Sequence, residues 1–470
     1  MSIRVTALSY LLAAVVTVPL ADSLVQVPIQ VSDSLEPMVI AARYPTVWQL
    51  LVDATHFSAT TLRPMRYVQA RWLLNTVAGT GLSYHTVFRG AHVALLAALV
   101  LLFVTAVRVR TWTDLAAFAF ALPMLIGIHT FVAMLQEAFP VNHYAEIGVC
   151  ALAVFVLARR PRWYVPPAVC VLLAFALSLV ESGALVWVVV MCCGAVGMGG
   201  ITRSTVVSAT LLFAGYLVLR HTLGLSSPGI GGHNSGFGAV FYSADELQQR
   251  FGAHPLGFMM YNVVGGLLSL LLSEPRTGVY RLAIAWQSGD WHPVLLINMG
   301  ASVITTGLIV WYGATRLRRN RQTWTDADRT FAVACVVMLV NAMFTAAYIK
   351  DDIISVGGLF YAIAGFVAVR EILDTLPHRG VASTAFLALV LTVGASLWTF
   401  RAAGVHYLLR YDAFTTRNDW VEVLRPDRKD DWPTDPRALA ITRGIRDEAI
   451  SKRVASPSFM PRWGDRYWVE

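Results

Sequence analysis

Residues 90–110, GAHVALLAALVLLFVTAVRVR, decide the fold. From Gly90 to Val107 no residue is charged, and then Arg108 and Arg110 close the run. A helix rising ~1.5 Å per residue needs about 20 such residues to cross a ~30 Å hydrocarbon core. The segment therefore reads as a membrane-crossing helix with an arginine anchor at its end. The pattern recurs along the chain, with apolar runs near 5–24, 114–135, 143–158, 165–180, 183–200, 204–219, 293–315, 330–349, 353–369 and 381–400. These runs predict an all-α integral membrane protein of about 11 transmembrane helices.

Composition agrees. Of 470 residues, 56% are hydrophobic and 14% charged, with a mean hydropathy of +0.58. Soluble domains carry about a quarter charged residues, so an ordinary soluble enzyme is excluded. The polar residues gather at the end: 13 of the 37 basic and 11 of the 29 acidic residues fall in 401–470. That contrast divides the chain into a polytopic membrane domain over 1–400 and an external C-terminal tail or small domain over 401–470. Short arginine-rich segments separate alternate spans: Arg108/Arg110, Arg159/Arg160/Arg162, Arg203, Arg316/Arg318/Arg319/Arg321 and Arg370/Arg379. With a cytoplasmic N-terminus every one of them falls on the cytoplasmic side, as the positive-inside rule requires, and the tail lies outside. The expected location is a bacterial inner membrane. The net charge of +8 then reflects topology and contact with membrane lipids, not nucleic acid. Met1–Ala21 has a signal-like pattern and is expected to stay as an uncleaved first span. Residues 256–273 are apolar, but as a crossing they would move the Arg316–Arg321 cluster outside, so a re-entrant or interfacial segment is expected there. The five cysteines sit within apolar runs and lack metal-binding spacing, which predicts core packing.

Two large outer loops follow, 22–89 and 220–292. The first holds Asp22, Asp33 and Glu36, then Arg43, Arg63, Arg66, Arg71 and Arg89. Pro64 suits a first helical turn, and Val68, Trp72, Leu73 and Val77 recur at helical spacing. Arg63 and Arg66 would stand at the start of that helix, where backbone N–H groups and guanidinium forks suit a phosphate. Asp33-Ser34-Leu35-Glu36 supports two readings. One is a capping box; the other is a carboxylate pair acting as a base or holding Mg or Mn. Further outer candidates are Glu137 and His143 in EAFPVNH, Glu181 between two spans, and Arg220 with His221 at the end of the seventh span. Lys350-Asp351-Asp352 reads as a self-paired turn, the glycines of 226–238 as a loop, and Trp420, Trp432, Trp463 and Trp468 as packing residues.

From His56 the sequence runs HFSATTLRPMRYVQARWLLNTVAGTGLSYHTVFRGAHV. It resembles the GT-C class of polytopic glycosyltransferases that use polyprenyl-phosphate sugars, in the branch related to protein O-mannosyltransferases. The matching features are the acids Asp33/Glu36, the triplet Arg63-Pro64-Met65, a helix over Tyr67–Val77, Gly79/Gly81 and His92. LLAFALSLVESGAL at 172–185 is similar to the family's Leu-Ser-Lys-Glu stretch, with Glu181 kept and Val180 at the lysine position. Tyr216–Arg220 is similar to its aliphatic run ending in arginine. No tetratricopeptide period is present. The resemblance implies inverting transfer of a sugar from a polyprenyl-phosphate donor to a hydroxyl acceptor (glycan, lipid or protein). Asp33 would be the base, or a Mg or Mn ligand, with Glu36 beside it. Arg63, Arg66, Arg220 and His221 would bind the donor, with Glu137, His143 and Glu181 nearby. The rival reading is a lipid or small-molecule transporter or flippase, which should line its central spans with charge.

Overall fold

The computed structural model describes residues 2–31, 34–57, 63–136, 143–225, 252–272, 278–316, 323–346, 349–424 and 433–452, with 245 and 248–249. In chain order the helices are α1 (Ser2–Gln26), α2 (Leu35–Arg43), α3 (Val47–Phe57), α4 (Pro64–Thr80), α5 (Tyr84–Val107), α6 (Trp112–Gly127), α7 (His129–Gln136), α8 (His143–Leu157), α9 (Val165–Leu179), a 3₁₀ turn (Glu181–Gly183), α10 (Ala184–Ala195) and α11 (Arg203–Leu225). They continue with α12 (Pro255–Leu271), α13 (Gly278–Ser288), α14 (Pro293–Arg316), α15 (Asp326–Met343), α16 (Ser355–Thr375), a 3₁₀ turn (Leu376–His378), α17 (Val381–Glu422) and α18 (Pro436–Ser451). No strand occurs among the described residues.

Every apolar run expected to span is helical over most of its length. Among the described residues five helices are long and apolar enough to cross a membrane, or six if the bent pair α6–α7 counts as one. The remaining runs do not meet that standard of length and composition, so the expected eleven are matched only in part. Helices α8 and α9 have 15 residues each and α10 has 12, so the longer two extend only ~22 Å. Helix α12 covers the segment expected to be re-entrant or interfacial. It buries one face, where the Asn262 side-chain amide donates to the Ala346 carbonyl (2.9 Å).

The span expected at 114–135 is not one rod. Helices α6 and α7 meet at 57° around Ile128, whose backbone is extended. The carbonyl of Gly127, left without a helical partner at this break, accepts from Arg401 Nε (3.0 Å). At the centre lies α16, buried on almost every face. Its small residues let neighbours come close: a Cβ on Gly358 would lie 2.1 Å from Thr130 Oγ1. Such close approach supplies the dispersion contacts that hold helices together where apolar burial gives little preference over lipid.

The arginine-rich loops meet at one end of the bundle. Arg108 pairs with Asp326 (3.5 Å), Arg370 with Asp114 (2.7 Å) and Arg316 with Glu371. Arg159 donates to Thr330 Oγ1 (2.6 Å) and to the Ala106 carbonyl. Two T-x-x-D sequences, Thr111–Asp114 and Thr325–Asp328, form complete capping boxes that start α6 and α15 at this same end.

The opposite end carries a second, smaller core. Ile29, Met38, Leu50, Tyr67, Leu73, Phe88, Trp420 and Ile445 join the first loop to the C-terminal region. Helix α17 runs unbroken for 42 residues through position 400, carrying the last apolar run directly into the tail. Trp420 is fully buried and donates its indole N–H to the Ile29 carbonyl (2.5 Å).

Candidate functional site

The end opposite the arginine loops also gathers Glu36, Arg63, Arg66, His143, Glu181 and Arg220. Helices α8, α9 and α11 fix the arrangement. His143 and Arg159 flank α8, Glu181 follows α9, and Arg220 stands 17 residues beyond Arg203 on α11, or about 25 Å along its axis.

Glu181 is the hub. Its Oε2 accepts from Arg63 Nη2 at 2.8 Å and its Oε1 from Arg220 Nη2 at 2.9 Å. The carboxylate and the Arg220 side chain are 5% and 3% exposed, so both are withdrawn from bulk water. Burial alone would raise the Glu181 carboxyl, but the Arg63 and Arg220 guanidiniums outweigh it and hold the group below the ordinary glutamate value. Tyr216, one turn before Arg220, accepts from Arg220 Nη1 (3.0 Å) and orients the fork.

Local sequence explains how these groups are presented. Val180 leaves α9 in an extended conformation and Glu181-Ser182-Gly183 turns at once into α10. The turn is so tight that a Cβ on Gly183 would lie 2.0 Å from the Ala176 carbonyl oxygen. Pro64 occupies the first turn of α4 and leaves Arg63 as its N-cap. Gly81 ends α4 with a left-handed φ of 69°, the glycine turn expected there.

Arg66, one turn further along α4, faces Glu36 of α2 at 3.6 Å. Helix α2 starts at Leu35 with Ser34 as N-cap and no side-chain cap bond from Ser34, while the Asp33 end of the capping-box reading lies outside the described residues. His143 is fully buried and lies within electrostatic reach of Arg66 and Arg63. Tyr67 is buried beside Arg66, Glu36 and Arg63, and burial raises its phenol above the ordinary value. Asp33 and Glu137 lie outside the described residues, and of His221 the structure describes the helix but not the side chain. No cluster of three or more His, Cys, Asp or Glu side chains suited to a metal occurs among the described residues.

Other loop residues are structural. Arg89 donates to the carbonyls of Val27 and Pro28 (2.7 Å each), and Arg71 to those of Ala41 and Pro45 (3.3 and 3.1 Å). His92 lies buried inside α5, with Nδ1 2.8 Å from the Phe88 carbonyl. Lys350 pairs with Asp352 (2.6 Å), the self-paired turn expected.

Two polar residues beside the cluster escape a sequence reading. Glu146 is buried in the first turn of α8, and Gln69 of α4 donates to it at 2.6 Å. Glu146 stands one turn after His143, and an acid in the first two turns of an otherwise apolar helix was the available signal.

Among the described residues the arrangement unites three cations, Arg63, Arg66 and Arg220, with two acids, Glu36 and Glu181. With one charge per group, the sum favours an anion. No protein-family profile, curated protein or solved structure matches this chain.

Proposed function

We propose that the protein is a membrane glycosyltransferase that moves a sugar from a polyprenyl-phosphate donor to a hydroxyl acceptor, with inversion. Its setting is the outer face of a bacterial inner membrane, crossed by about 11 helices with the N-terminus cytoplasmic. The observation that carries this reading is the meeting of Arg63, Glu181 and Arg220 on one carboxylate. These residues come from three separate family-like motifs, in a chain whose arginine-rich loops gather at the other end.

In this mechanism the donor phosphate binds against Arg63, Arg66 and Arg220. The acceptor oxygen attacks the anomeric carbon from the face opposite the phosphate while the carbon–oxygen bond to phosphate breaks. Asp33, with Glu36 beside it, takes the acceptor proton, a role that typically supplies 10²–10⁴-fold in rate. The guanidiniums stabilise the charge that develops on the leaving phosphate. Glu181 acts as a positioning residue: it holds two forks at fixed angles so that little reorganisation is needed as charge builds. His143, His221 and Glu137 are assigned to substrate binding in the same reading.

The test is transfer from labelled polyprenyl-phosphate sugars by the purified protein. Asp33→Asn is expected to lose at least 100-fold in turnover while keeping donor affinity. Arg220→Lys keeps the charge but loses the fork, and is expected to weaken donor binding about tenfold. Undiminished transfer by both folded variants refutes the assignment.

A further inference from the structure

A second basic site stands at the opposite end of the bundle. A cleft of about 270 Å³ opens between the first turns of α1 and the ends of α5 and α8. Arg108, Arg110, Arg159 and Arg160 line it, with Tyr10 and Thr105 among its hydroxyl-bearing residues, and no acidic residue lines it among the described residues. Arg108 has a partner outside the cleft, Asp326 at 3.5 Å, which is itself 78% exposed. Arg110 and Arg160 make no ion pair among the described residues.

The cleft is built, not an incidental gathering of surface arginines. Arg159 is pinned by Thr330 (2.6 Å) and by the Ala106 carbonyl. Arg108 closes α5 with φ at 56°, a left-handed backbone that a side-chain-bearing residue adopts at a cost. Tyr10 and Thr105 are hydrogen-bonded across α1 and α5 at 3.2 Å, on the outside of the bundle. Along the same helix Ile3, Leu8, Leu11 and Val15 are exposed and apolar. A cationic cleft beside an apolar outward face has the form of a head-group site with an adjoining acyl track.

We propose that this cleft binds a phosphate ester, held by the four guanidiniums, at the end of the bundle away from the Glu181 cluster. Guanidinium forks match phosphate oxygens two at a time, and an anion there offsets the mutual repulsion of four gathered cations. The ester's source is either the head group of an anionic phospholipid, with its chains along α1, or a soluble phosphate ester.

The purified full chain in neutral detergent tests this by native mass spectrometry and thermal unfolding. Three probes are used: phosphatidylglycerol, phosphatidylcholine and glycerol 3-phosphate. Retention of phosphatidylglycerol over phosphatidylcholine identifies the lipid source, whereas protection by glycerol 3-phosphate alone identifies the soluble one. Arg110→Gln with Arg160→Gln removes two charges that make no ion pair among the described residues, and binding of the active probe is expected to weaken about 30-fold. Arg108→Gly keeps the left-handed turn while deleting a third guanidinium, and gives a second variant whose backbone is relaxed. Equal retention of both lipids with no effect of glycerol 3-phosphate overturns the proposal. So does undiminished binding in both variants.

Discussion

Gln69 donates its side-chain amide to Glu146 across 2.6 Å, and the second carboxylate oxygen of Glu146 is buried without a hydrogen-bond partner among the described residues. The bond joins α4, from the first loop, to α8 in the body. It therefore ties the helix bearing Arg63 and Arg66 to the bundle.

Glu146→Ala is expected to cost about 1–3 kcal/mol, because it strips the Gln69 amide of its acceptor in a buried place. Glu146→Gln keeps an acceptor of the same shape and should lose much less. Thermal unfolding in detergent measures both. Equal losses would mean that an uncharged acceptor of the same shape cannot replace the carboxylate, which would refute the Gln69 hydrogen bond as the source of the stability.

Glu181→Gln removes the only carboxylate between Arg63 and Arg220 among the described residues and leaves two guanidiniums side by side. Breaking a buried pair in this way costs about 3–5 kcal/mol near neutral pH. The Glu181 carboxyl titrates below its unfolded value, so its contribution is complete above about pH 4.5. It is lost as pH falls from there through the lower folded value. The stability gap between wild type and Glu181→Gln should thus be wide at pH 7 and close on acidification below about 4.5. A gap independent of pH would place the effect elsewhere than in the ion pairs.

Legibility from sequence followed the physics of each feature. Apolar runs report burial in lipid or core directly, so helix positions were readable. The same runs do not report helix length or bending, which is why 114–135 looked like one span. At the bend Arg401, far along the chain, reaches the Gly127 carbonyl. Arg63, Glu181 and Arg220 were visible as separate polar signals at span ends. Their meeting was not, because Arg63 and Glu181 lie 118 residues apart. Glu146 went unseen because one acid inside an apolar helix looks the same whether it faces water or a partner.

Gly183→Ala is expected to disrupt the Glu181 turn, since the new methyl would lie 2.0 Å from the Ala176 carbonyl oxygen, which is backbone and cannot swing away. The cost is expected to reach about 3 kcal/mol or more. Gly90→Ala is the control. A methyl added at Gly90, inside α5, would meet no atom within 4 Å, so helix propensity should stabilise that variant by about 0.5–1 kcal/mol. Detergent melting curves of the two should move in opposite directions.

Docking of α18 onto the first loop depends on Glu448, whose two oxygens accept from the backbone N–H groups of Tyr84 (3.1 Å) and His85 (3.0 Å). The carboxylate caps α5 from a distant helix, and Glu448→Ala should cost about 1 kcal/mol and loosen α18. Lys452 extends the same line of contacts, 3.2 Å from the Val25 carbonyl. Burial and then Arg89 push its ammonium down to about 8, partly countered by Glu448. Between about pH 8 and 10.5 the undocked state binds more protons than the docked one, so docking strengthens as pH rises through that window. Hydrogen exchange over Pro436–Ser451 should slow accordingly, after correction for intrinsic rates. In Lys452→Met that pH dependence should vanish, and if it persists the titrating group lies elsewhere.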